Sequence, residues 1–327
     1  MPVPLSILDL AFVGPGQTAC DSFIGSVALA QLAESVGYKR VWYAEHHNIP
    51  TIASSATSVL IAHVAANTAR IRLGAGGIML PNHAPLTIAE QFGTLECLHP
   101  RRIDLGLGRA PGSDQNTMRA MRRNPNAADT FPADVLELQG YLVGPSRIPG
   151  VEATPGKGTN VPLYILGSSL FGAQLAAALG LPYAFASHFA PSSLEEAVDI
   201  YRSEFRPSAQ LERPYVIAGV NVVAADTAGE AAAQFLAVRR WRVNALLGRG
   251  RRFTDAEADQ ILESPEGRHI KQMGKYAAVG TAVEVRDYLD NFTQHASADE
   301  LITVHPSPTV DGRLRSVELT AVAIPRQ

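Results

Sequence analysis

Short apolar runs alternate with amphipathic stretches along almost the whole chain. Eight runs are nearly continuous in apolar side chains, with Ile, Leu, Val and Tyr most prominent. They are Leu5–Phe12, Arg40–Tyr43, Ile71–Gly76, Ile103–Leu107, Leu163–Leu166, Tyr183–Ser187, Tyr215–Val223 and Leu301–Val304. Continuous apolarity is typical of strands covered on both faces, as in a parallel sheet. The pattern therefore predicts eight parallel strands.

The stretches between these runs carry the three- and four-residue spacing of helices. In the first of them Ile24, Val27 and Leu32 keep this spacing, and Gly37 follows as a helix stop. Four Ser/Thr-x-x-Glu pairs predict capping boxes, in which the two side chains bond the free amides of a helix start. The pairs are Thr87 with Glu90, Ser192 with Glu195, Thr227 with Glu230, and Thr281 with Glu284.

Alternating strands and helices predict parallel pairing through right-handed crossovers. Eight strands favour a closed (β/α)₈ barrel, the TIM barrel, over a doubly wound sheet, because closure leaves no free sheet edge. A dinucleotide-binding sheet is disfavoured because Val13-Gly14-Pro15-Gly16 follows the first run, and Pro15 lacks the amide that a phosphate-binding turn uses. We expect one domain over residues 1–327.

Two connections are longer than a barrel requires. Arg109 to Pro162 follows the fourth strand, and Leu236 to Val279 follows the seventh helix. The second connection carries the basic runs Arg239-Arg240-Trp241-Arg242 and Arg249-Gly250-Arg251-Arg252. Long connections in compact domains often form lids. A solvated helix face with acidic partners is the favoured interpretation of the arginines, and binding of an anionic ligand or cofactor tail is the alternative.

Composition narrows the class of partner. The chain has 28 Lys and Arg against 31 Asp and Glu, a formal charge of −3, so no basic field points to nucleic acid or an anionic membrane surface. No stretch approaches the ~20 apolar residues of a membrane span. Cys20 and Cys97 are too few for a disulfide framework, and the start Met1-Pro2-Val3-Pro4 does not resemble a secretory signal. A cytoplasmic location is expected.

The carboxyl ends of barrel strands form the active site of this fold, which turns the strand predictions into site predictions. Gly167-Ser168-Ser169 follows the fifth strand and opens a helix, whose free amides make a potential anion site. Arg109, after the fourth strand, could contact the same anion. Alternatively, Ser168 only caps its helix and Arg109 pairs with a carboxylate.

The second and third strands end in two further candidates. In Glu45-His46-His47 the vicinal histidines must point in opposite directions, so one of them can face the barrel mouth and transfer protons. Gly76-Gly77 permits either close approach of a flat ligand or tight packing at a bulge. The residues leave these two interpretations equal.

Three stretches resemble the flavin-dependent luciferase-like monooxygenases, the relatives of bacterial luciferase and alkanal monooxygenases. They are Val41 to His47, Leu73 to Pro85 with Ala89-Glu90-Gln91, and Arg102 to Arg109. The resemblance spans nearly the whole chain. It implies a barrel that binds FMN, reduced by a separate flavin reductase, and that uses molecular oxygen to oxidise a small-molecule substrate.

The resemblance also assigns residues. His46 matches the active-site histidine beside the flavin, and Gly76-Gly77 matches a non-prolyl cis peptide behind the isoalloxazine ring. Arg109 and Ser168 match phosphate-binding positions. Gly167 and Phe171 stand where the catalytic subunit of bacterial luciferase has an acidic residue and a threonine. Phosphate binding is therefore expected from the backbone amides at Gly167, from Ser168 and from Ser169, and light emission from a long-chain aldehyde is not expected.

Other functions remain open on the same fold. The deazaflavin coenzyme F420 could replace FMN and carry hydride. A metal-dependent hydrolase would use four histidines, namely His46, His47, His188 and His305. A non-catalytic flavin-binding subunit would not need to retain His46 and Arg109. Ala-rich helices such as Ser54–Ala66 favour a small homo-oligomer, of which a homodimer is the simplest.

Overall fold

The computed structural model describes residues 3–110, 114–124, 126–248 and 251–323. Within them lie nine strands, all in one parallel sheet. The strands are β1 (Leu5–Asp9), β2 (Arg40–Tyr43), β3 (Arg72–Met79), β4 (Ile103–Gly108), β5 (Leu163–Gly167), β6 (Tyr183–Phe185), β7 (Val216–Ala224), β8 (Ala277–Gly280) and β9 (Glu300–Val304).

Eight of the strands close into a barrel. The hydrogen-bonded order is β6-β5-β4-β3-β2-β1-β9-β7, and pairing of β6 with β7 completes the ring. Every pair is parallel, so all the carboxyl ends lie at one rim. The (β/α)₈ barrel predicted from the alternation is confirmed, and each predicted run overlaps one barrel strand.

Strand β8 was not predicted. It pairs with the carboxyl-terminal part of β7, where Asn221 to Ala224 match Ala277 to Gly280, while β9 pairs with β7 from Ile217 to Asn221. The nine-residue length of β7 lets it serve both neighbours. Because β8 has only four residues, with sequence AAVG, it lacks the branched apolar run that marks a strand.

Twelve α-helices lie in the described residues. They are α1 (Ala19–Val36), α2 (Thr57–Ala66), α3 (Pro85–Leu98), α4 (Gln115–Ala120), α5 (Phe131–Val143), α6 (Leu170–Leu179), α7 (Leu194–Glu204), α8 (Ala228–Leu247), α9 (Asp255–Glu263), α10 (Arg268–Gln272), α11 (Ala282–His295) and α12 (Val310–Thr320). Helix α1 ends as predicted at Gly37, whose φ of 93° is in the left-handed region that glycine adopts easily. No described helix has the length and apolarity to span a bilayer.

Two of the four predicted capping boxes are confirmed, at Thr227 and at Thr281. The prediction at Thr87 is wrong because α3 already begins at Pro85, which places Thr87 inside the first turn. The prediction at Ser192 is wrong because Ser193 precedes α7, and its side chain makes no capping bond. The motif alone does not tell which turn of the chain becomes the helix start.

Both long connections contain helices. The one after β4 holds α4, a short 3₁₀ helix (Ala127–Thr130) and α5. The predicted boundary at Leu236 is wrong, because α8 continues to Leu247 and includes the first arginine run. Helices α8, α9 and α10 share a small apolar cluster, formed by Val243, Ala258, Leu262 and Ile270. In the second arginine run, Arg249 and Gly250 lie outside the described residues.

The amino-terminal end of the barrel is closed by a buried charge network. Arg40 donates to Asp104 (2.7 Å), to the Tyr164 hydroxyl (2.7 Å) and to Glu300 (3.1 Å). An apolar layer lies above it, including Leu8, Trp42, Ala184, Ile217 and Ile302. The opposite rim is thereby left for the polar residues that follow the strands.

Candidate functional site

His46 occupies the inner side of the rim. Trp42 and Ala44 belong to the cluster inside the barrel, and His46 continues their two-residue alternation past the end of β2. Its Nδ1 atom is buried and has no hydrogen-bond partner in the described part of the chain. Burial lowers the pKa of His46, although Glu45 opposes this, so the imidazole is neutral at neutral pH.

The neighbouring residues Glu45 and His47 point the other way, as the alternation predicts. The Glu45 carboxylate is 1% exposed and lies 2.9 Å from Nε2 of His47 and 2.9 Å from Nε2 of His83. It also accepts the Met79 N–H at 3.0 Å, which ties the end of β2 to the end of β3. Burial acts to raise the pKa of Glu45, but the two histidine contacts outweigh it and lower that pKa to about 2.

Gly76 and Gly77 lie in the most closely packed part of β3. The bond between them is a cis peptide, as the family resemblance implied. A Cβ atom on Gly76 would lie 2.9 Å from the Cβ of Trp42, and one on Gly77 would lie 2.7 Å from the Gly106 carbonyl oxygen. The pairing with β4 changes register between Ala75 and Ile78. The packing interpretation is therefore observed, and ligand contact at this place remains a prediction.

Arg109, Phe171 and the start of α6 lie together on another part of the rim. The Arg109 guanidinium is exposed and lies over the Phe171 ring, 4.3 Å from its centroid. Ser169 is the residue before α6, and its side chain makes no capping bond. Gly167 is open, because a Cβ there would have only the Gly172 Cα within 4 Å, at 3.9 Å. Among the described residues, Arg109 has no carboxylate partner.

These observations fit an anionic group better than the structural alternative. The alternative required Ser168 to cap the helix and Arg109 to pair with an acid, and neither contact occurs in the described chain. Phe171 holds the guanidinium by stacking. Sequence reasoning noted this residue only as a difference from bacterial luciferase. The sequence pointed to Phe171 only through its position as the second residue of α6, two residues after Ser169.

A second polar group on the rim joins β6, β7 and α8. The Asn221 amide of β7 donates to the His188 carbonyl oxygen (2.8 Å), and its oxygen accepts from Nη2 of Arg242 (3.1 Å). Gly219 leaves room for the His188 ring, because a Cβ there would lie 2.4 Å from its Nδ1. Burial, with the charge of Arg242, lowers the pKa of His188 to about 3, so this ring is neutral.

Sequence reasoning treated His188 only as a candidate metal ligand. Arg242 was treated only as part of a basic run. The sequence could have indicated burial of Arg242, because the buried residues Ala231 and Val238 precede it on α8 at helical spacing. An arginine on the apolar side of a helix is a candidate for burial.

An apolar wall at the rim comes from the loops after β1 and β9 and from α8. The Phe12 and Trp241 rings meet edge to face with centroids 5.5 Å apart. Together with Val238 and Pro306 they line a narrow groove at the rim.

The four histidines of the metal-hydrolase alternative do not form a ligand set. His305 is buried between the Ser316 hydroxyl (2.9 Å) and the Thr303 hydroxyl (2.9 Å), and burial lowers its pKa to about 3. His47 is taken up by Glu45. In the part of the chain that the structure describes, no three His, Cys, Asp or Glu side chains are arranged to hold a metal ion.

The fold and the rim together define a (β/α)₈-barrel protein with its reactive groups at the carboxyl ends of the strands, the arrangement of barrel enzymes. The family model described as luciferase-like monooxygenase matches residues 3–300. A luciferase-like monooxygenase of Escherichia coli K12 is 47% identical over 320 residues, covering 97% of this chain and 96% of that protein. The chain belongs to the luciferase-like monooxygenase family and is an enzyme of this flavin-dependent monooxygenase class.

Other relatives cover the chain equally fully. The N-acetyl-S-alkylcysteine monooxygenase of Bacillus subtilis is 32% identical over 335 residues, covering 98% of both chains. The crystal structure of apo-MsnO8 is 32% identical with a TM-score of 0.85, covering 99% of this chain and 100% of that one. The resemblance seen in the sequence is confirmed.

Two more distant structures show the fold alone. The oxygenating constituent of 3,6-diketocamphane monooxygenase from Pseudomonas putida, in complex with FMN, has a TM-score of 0.70 at 17% identity, covering 99% of this chain and 98% of that one. An F420-dependent secondary alcohol dehydrogenase, with an F420-acetone adduct, has a TM-score of 0.73 at 16% identity and covers 100% of both chains. Flavin and deazaflavin cofactors thus both occur on this barrel.

Proposed function

We propose that the protein is an FMN-dependent monooxygenase that oxidises a small organic substrate with molecular oxygen, using FMN reduced by a separate flavin reductase. The observation that carries the proposal is the meeting of two features at one rim. One is Arg109, which has no carboxylate partner among the described residues and lies beside the uncapped start of α6. The other is His46, which faces the inside of the barrel and is neutral. Family membership supports the reaction class.

The first feature binds the phosphate of the cofactor. Arg109 contributes a fixed charge, and the amides at the start of α6 contribute N–H donors, with Gly167, Ser168 and Ser169 forming the turn. A planar guanidinium held on the Phe171 ring is pre-oriented, so less rotational freedom is lost on binding. Phosphate binding at the later strands is common in this fold.

The second feature handles protons. When bound, reduced flavin supplies the electrons that activate oxygen. His46 lies inside the mouth with a buried, unpartnered Nδ1, so that atom can accept a proton from substrate or, in the other tautomer, donate one. The lowered pKa keeps the ring neutral at physiological pH, which suits a base. Gly76 and Gly77 lie in β3, the strand that pairs with β2, and leave backbone without side chains there.

The wall formed by Phe12 and Trp241 keeps water away from the reacting atoms. Exclusion of water strengthens electrostatic contacts inside the site and limits side reactions. The two rings meet across the β1 loop and α8, so the wall depends on the position of the helix that follows β7. Helix α8 therefore acts as one side of the active site as well as part of the outer ring.

The second candidate is an F420-dependent hydride-transfer enzyme. The F420-dependent secondary alcohol dehydrogenase favours it, because its fold matches the full length of this chain. The two candidates differ in whether oxygen is consumed.

The deciding experiment is titration of the purified protein with FMN and with F420, followed by oxygen uptake with supplied reduced FMN and a substrate panel. We expect tighter binding of FMN and substrate-dependent oxygen consumption. The variant His46→Ala should bind FMN within about twofold of wild type and lose most turnover, because only proton transfer is removed. F420 binding without FMN binding would favour the second candidate, and turnover unchanged in the variant would refute the role of His46.

A further inference from the structure

Arg242 is a buried cation with an unused donor. Its side chain lies on α8 and is 8% exposed, and Nη1 is buried without a hydrogen-bond partner in the described chain. Nη2 donates to the Asn221 side-chain oxygen at 3.1 Å. Asn221 is fully buried in β7 and is itself fixed by the carbonyl oxygens of His188 and Met273. The guanidinium is therefore held in place with one edge free.

The other buried arginines of the described chain are all paired with acids. Arg40 bonds Asp104 and Glu300. Arg313, 4% exposed, lies 3.3 Å from Asp9. Arg242 instead has only a neutral amide. Even Arg240, two residues earlier on α8 and partly exposed, pairs with Asp255 and Asp259.

The interpretation of the arginine run as a solvated face with acidic partners is thus correct for Arg240 but not for Arg242. Burial lowers the pKa of Arg242 to about 10, and no carboxylate acts against it, yet the group is still a cation at neutral pH. The adjacent His188 is neutral and offers no compensating charge. A buried, uncompensated charge is costly and calls for a bound counter-charge.

Position indicates what that counter-charge belongs to. Arg242 reaches the inner side of the rim between β6 and β7, where His188 is electrostatically coupled both to it and to His46. The anion site formed by Arg109 and the start of α6 follows β4 and β5, and β6 separates it from β7 in the ring. Two separate cationic sites at the rim that carries His46 fit two different anions, the cofactor phosphate at Arg109 and a group on the substrate at Arg242.

We propose that Arg242 binds the carboxylate of the substrate, so that the substrates of this enzyme are small organic carboxylates. The proposal rests on the proposed function, since it gives the same barrel mouth its substrate class. A carboxylate matches the planar edge of a guanidinium and can accept from Nη1 without displacing Asn221 from Nη2. Trp241, which precedes Arg242 on α8, and the Phe12 ring that it contacts would bind the apolar part of such a molecule.

The test uses straight-chain carboxylates of four to eight carbons, phenylacetate, and the primary amides of the same acids as uncharged probes. Calorimetry measures their binding to the protein with and without FMN, for wild type, Arg242→Gln, Arg242→Lys and Arg286→Gln. Arg286 is exposed on α11, so its variant has the same charge change away from the site. FMN and riboflavin affinities are measured for all four proteins.

We expect wild type to bind at least one carboxylate roughly 10- to 150-fold more tightly than its amide, the range of a charge-assisted hydrogen bond. Arg242→Gln should lose that preference, Arg242→Lys should keep part of it, and Arg286→Gln should match wild type. FMN affinity should be equal in all four proteins. Inorganic phosphate, as a competitor, should displace the carboxylate only weakly.

Three results would overturn the proposal. Wild type could bind every carboxylate no better than its amide. This comparison uses wild type alone, so it does not depend on whether a variant folds. The preference could persist in Arg242→Gln. Arg242→Gln could instead weaken FMN and not riboflavin, which would assign Arg242 to the cofactor phosphate. If wild type fails to bind FMN but still prefers carboxylates through Arg242, then the proposed function fails and this inference stands.

Discussion

At the scale of single residues, neighbours in sequence have opposite roles on the rim. His46 faces the barrel mouth with an unpartnered Nδ1, while Glu45 and His47 bond each other outside it. Strand alternation predicted this separation but could not tell which histidine faces inward. The answer came from Trp42, whose side chain fills the barrel and sets the phase of β2.

Replacement of Arg109 should weaken the binding of the phosphate end of FMN and leave the binding of its ring unchanged. We expect Arg109→Ala to weaken FMN binding roughly 10- to 100-fold, because a charge-assisted phosphate contact is lost. Riboflavin, which lacks the phosphate, should bind as it does to wild type. Fluorescence titration with both flavins measures this, with Arg286→Gln as the charge control. An equal loss for both flavins would place Arg109 at the ring instead.

Replacement of Glu45 should change the acid stability of the protein. The pKa of Glu45 is about 2 in the fold against an ordinary 4.5, so its stabilisation is complete above pH 4.5 and is lost as pH falls toward 2. Glu45→Gln should lower the free energy of unfolding at pH 7 by about 3 kcal/mol. Urea unfolding at pH 7, 4.5 and 3.5 should show the gap between wild type and variant narrowing at the lowest pH. A constant gap would mean that the charge of Glu45 contributes nothing.

At the scale of elements, the strand–helix alternation was readable because each element carries its own period. Strand β8 was not predicted because it has only four small residues. It forms because the long β7 offers its carboxyl-terminal part for pairing. The predicted boundary at Leu236 failed for a related reason. Helix α8 is extended by packing on α9 and α10, and that contact leaves no mark in the local pattern.

The β3–β4 contact should not tolerate a side chain at Gly106. A Cβ there would lie 2.3 Å from the Ala75 carbonyl oxygen, which is backbone and cannot rotate away. Gly106→Ala should therefore cost about 1–3 kcal/mol or more in the free energy of unfolding. Gly229→Ala is the control, since a Cβ at that helical position meets nothing within 4 Å and should be neutral or stabilising. Denaturant unfolding of both variants measures the difference, and equal stabilities would contradict the close contact.

At the scale of the whole molecule, the barrel separates stability from chemistry. Charges at the amino-terminal end are paired with one another, as in the network of Arg40, Asp104 and Glu300. Charges at the opposite rim include Arg109 and Arg242, which have no acidic partner among the described residues. Strand ends that close the core favour internal pairing, whereas strand ends that receive ligands keep donors free.

Removal of a charge from the closed end should therefore affect folding and spare binding. Glu300 is fully buried and accepts from Lys39 (2.9 Å), Ser6 (2.5 Å) and Tyr215 (2.7 Å) in addition to Arg40. Glu300→Gln should lower the free energy of unfolding by about 3–5 kcal/mol, because it removes one of the two carboxylates that compensate the buried charge of Arg40. Glu318→Gln removes an exposed partner of Arg315 and should change stability by less than about 1 kcal/mol.

Urea unfolding compares these two variants, and flavin titration below the melting range compares their binding. FMN affinity should equal that of wild type in both. A loss of affinity in folded Glu300→Gln would show that the two ends of the barrel are coupled. A loss of stability no larger than that of Glu318→Gln would show that the network is not needed for folding.

The sequence by itself determined the eight barrel strands, the end of the barrel where the site lies, and the residues His46, Arg109 and Gly167 to Ser169 as rim positions. These follow from local periodicity and from a rule of the fold, which need no knowledge of distant contacts. Only the tertiary structure decided that Arg109 rests on Phe171, that His305 is an internal group, and that Arg242 is buried without an acid. Burial and pairing of a charge depend on residues far away in the chain, so they arise only when the ring closes.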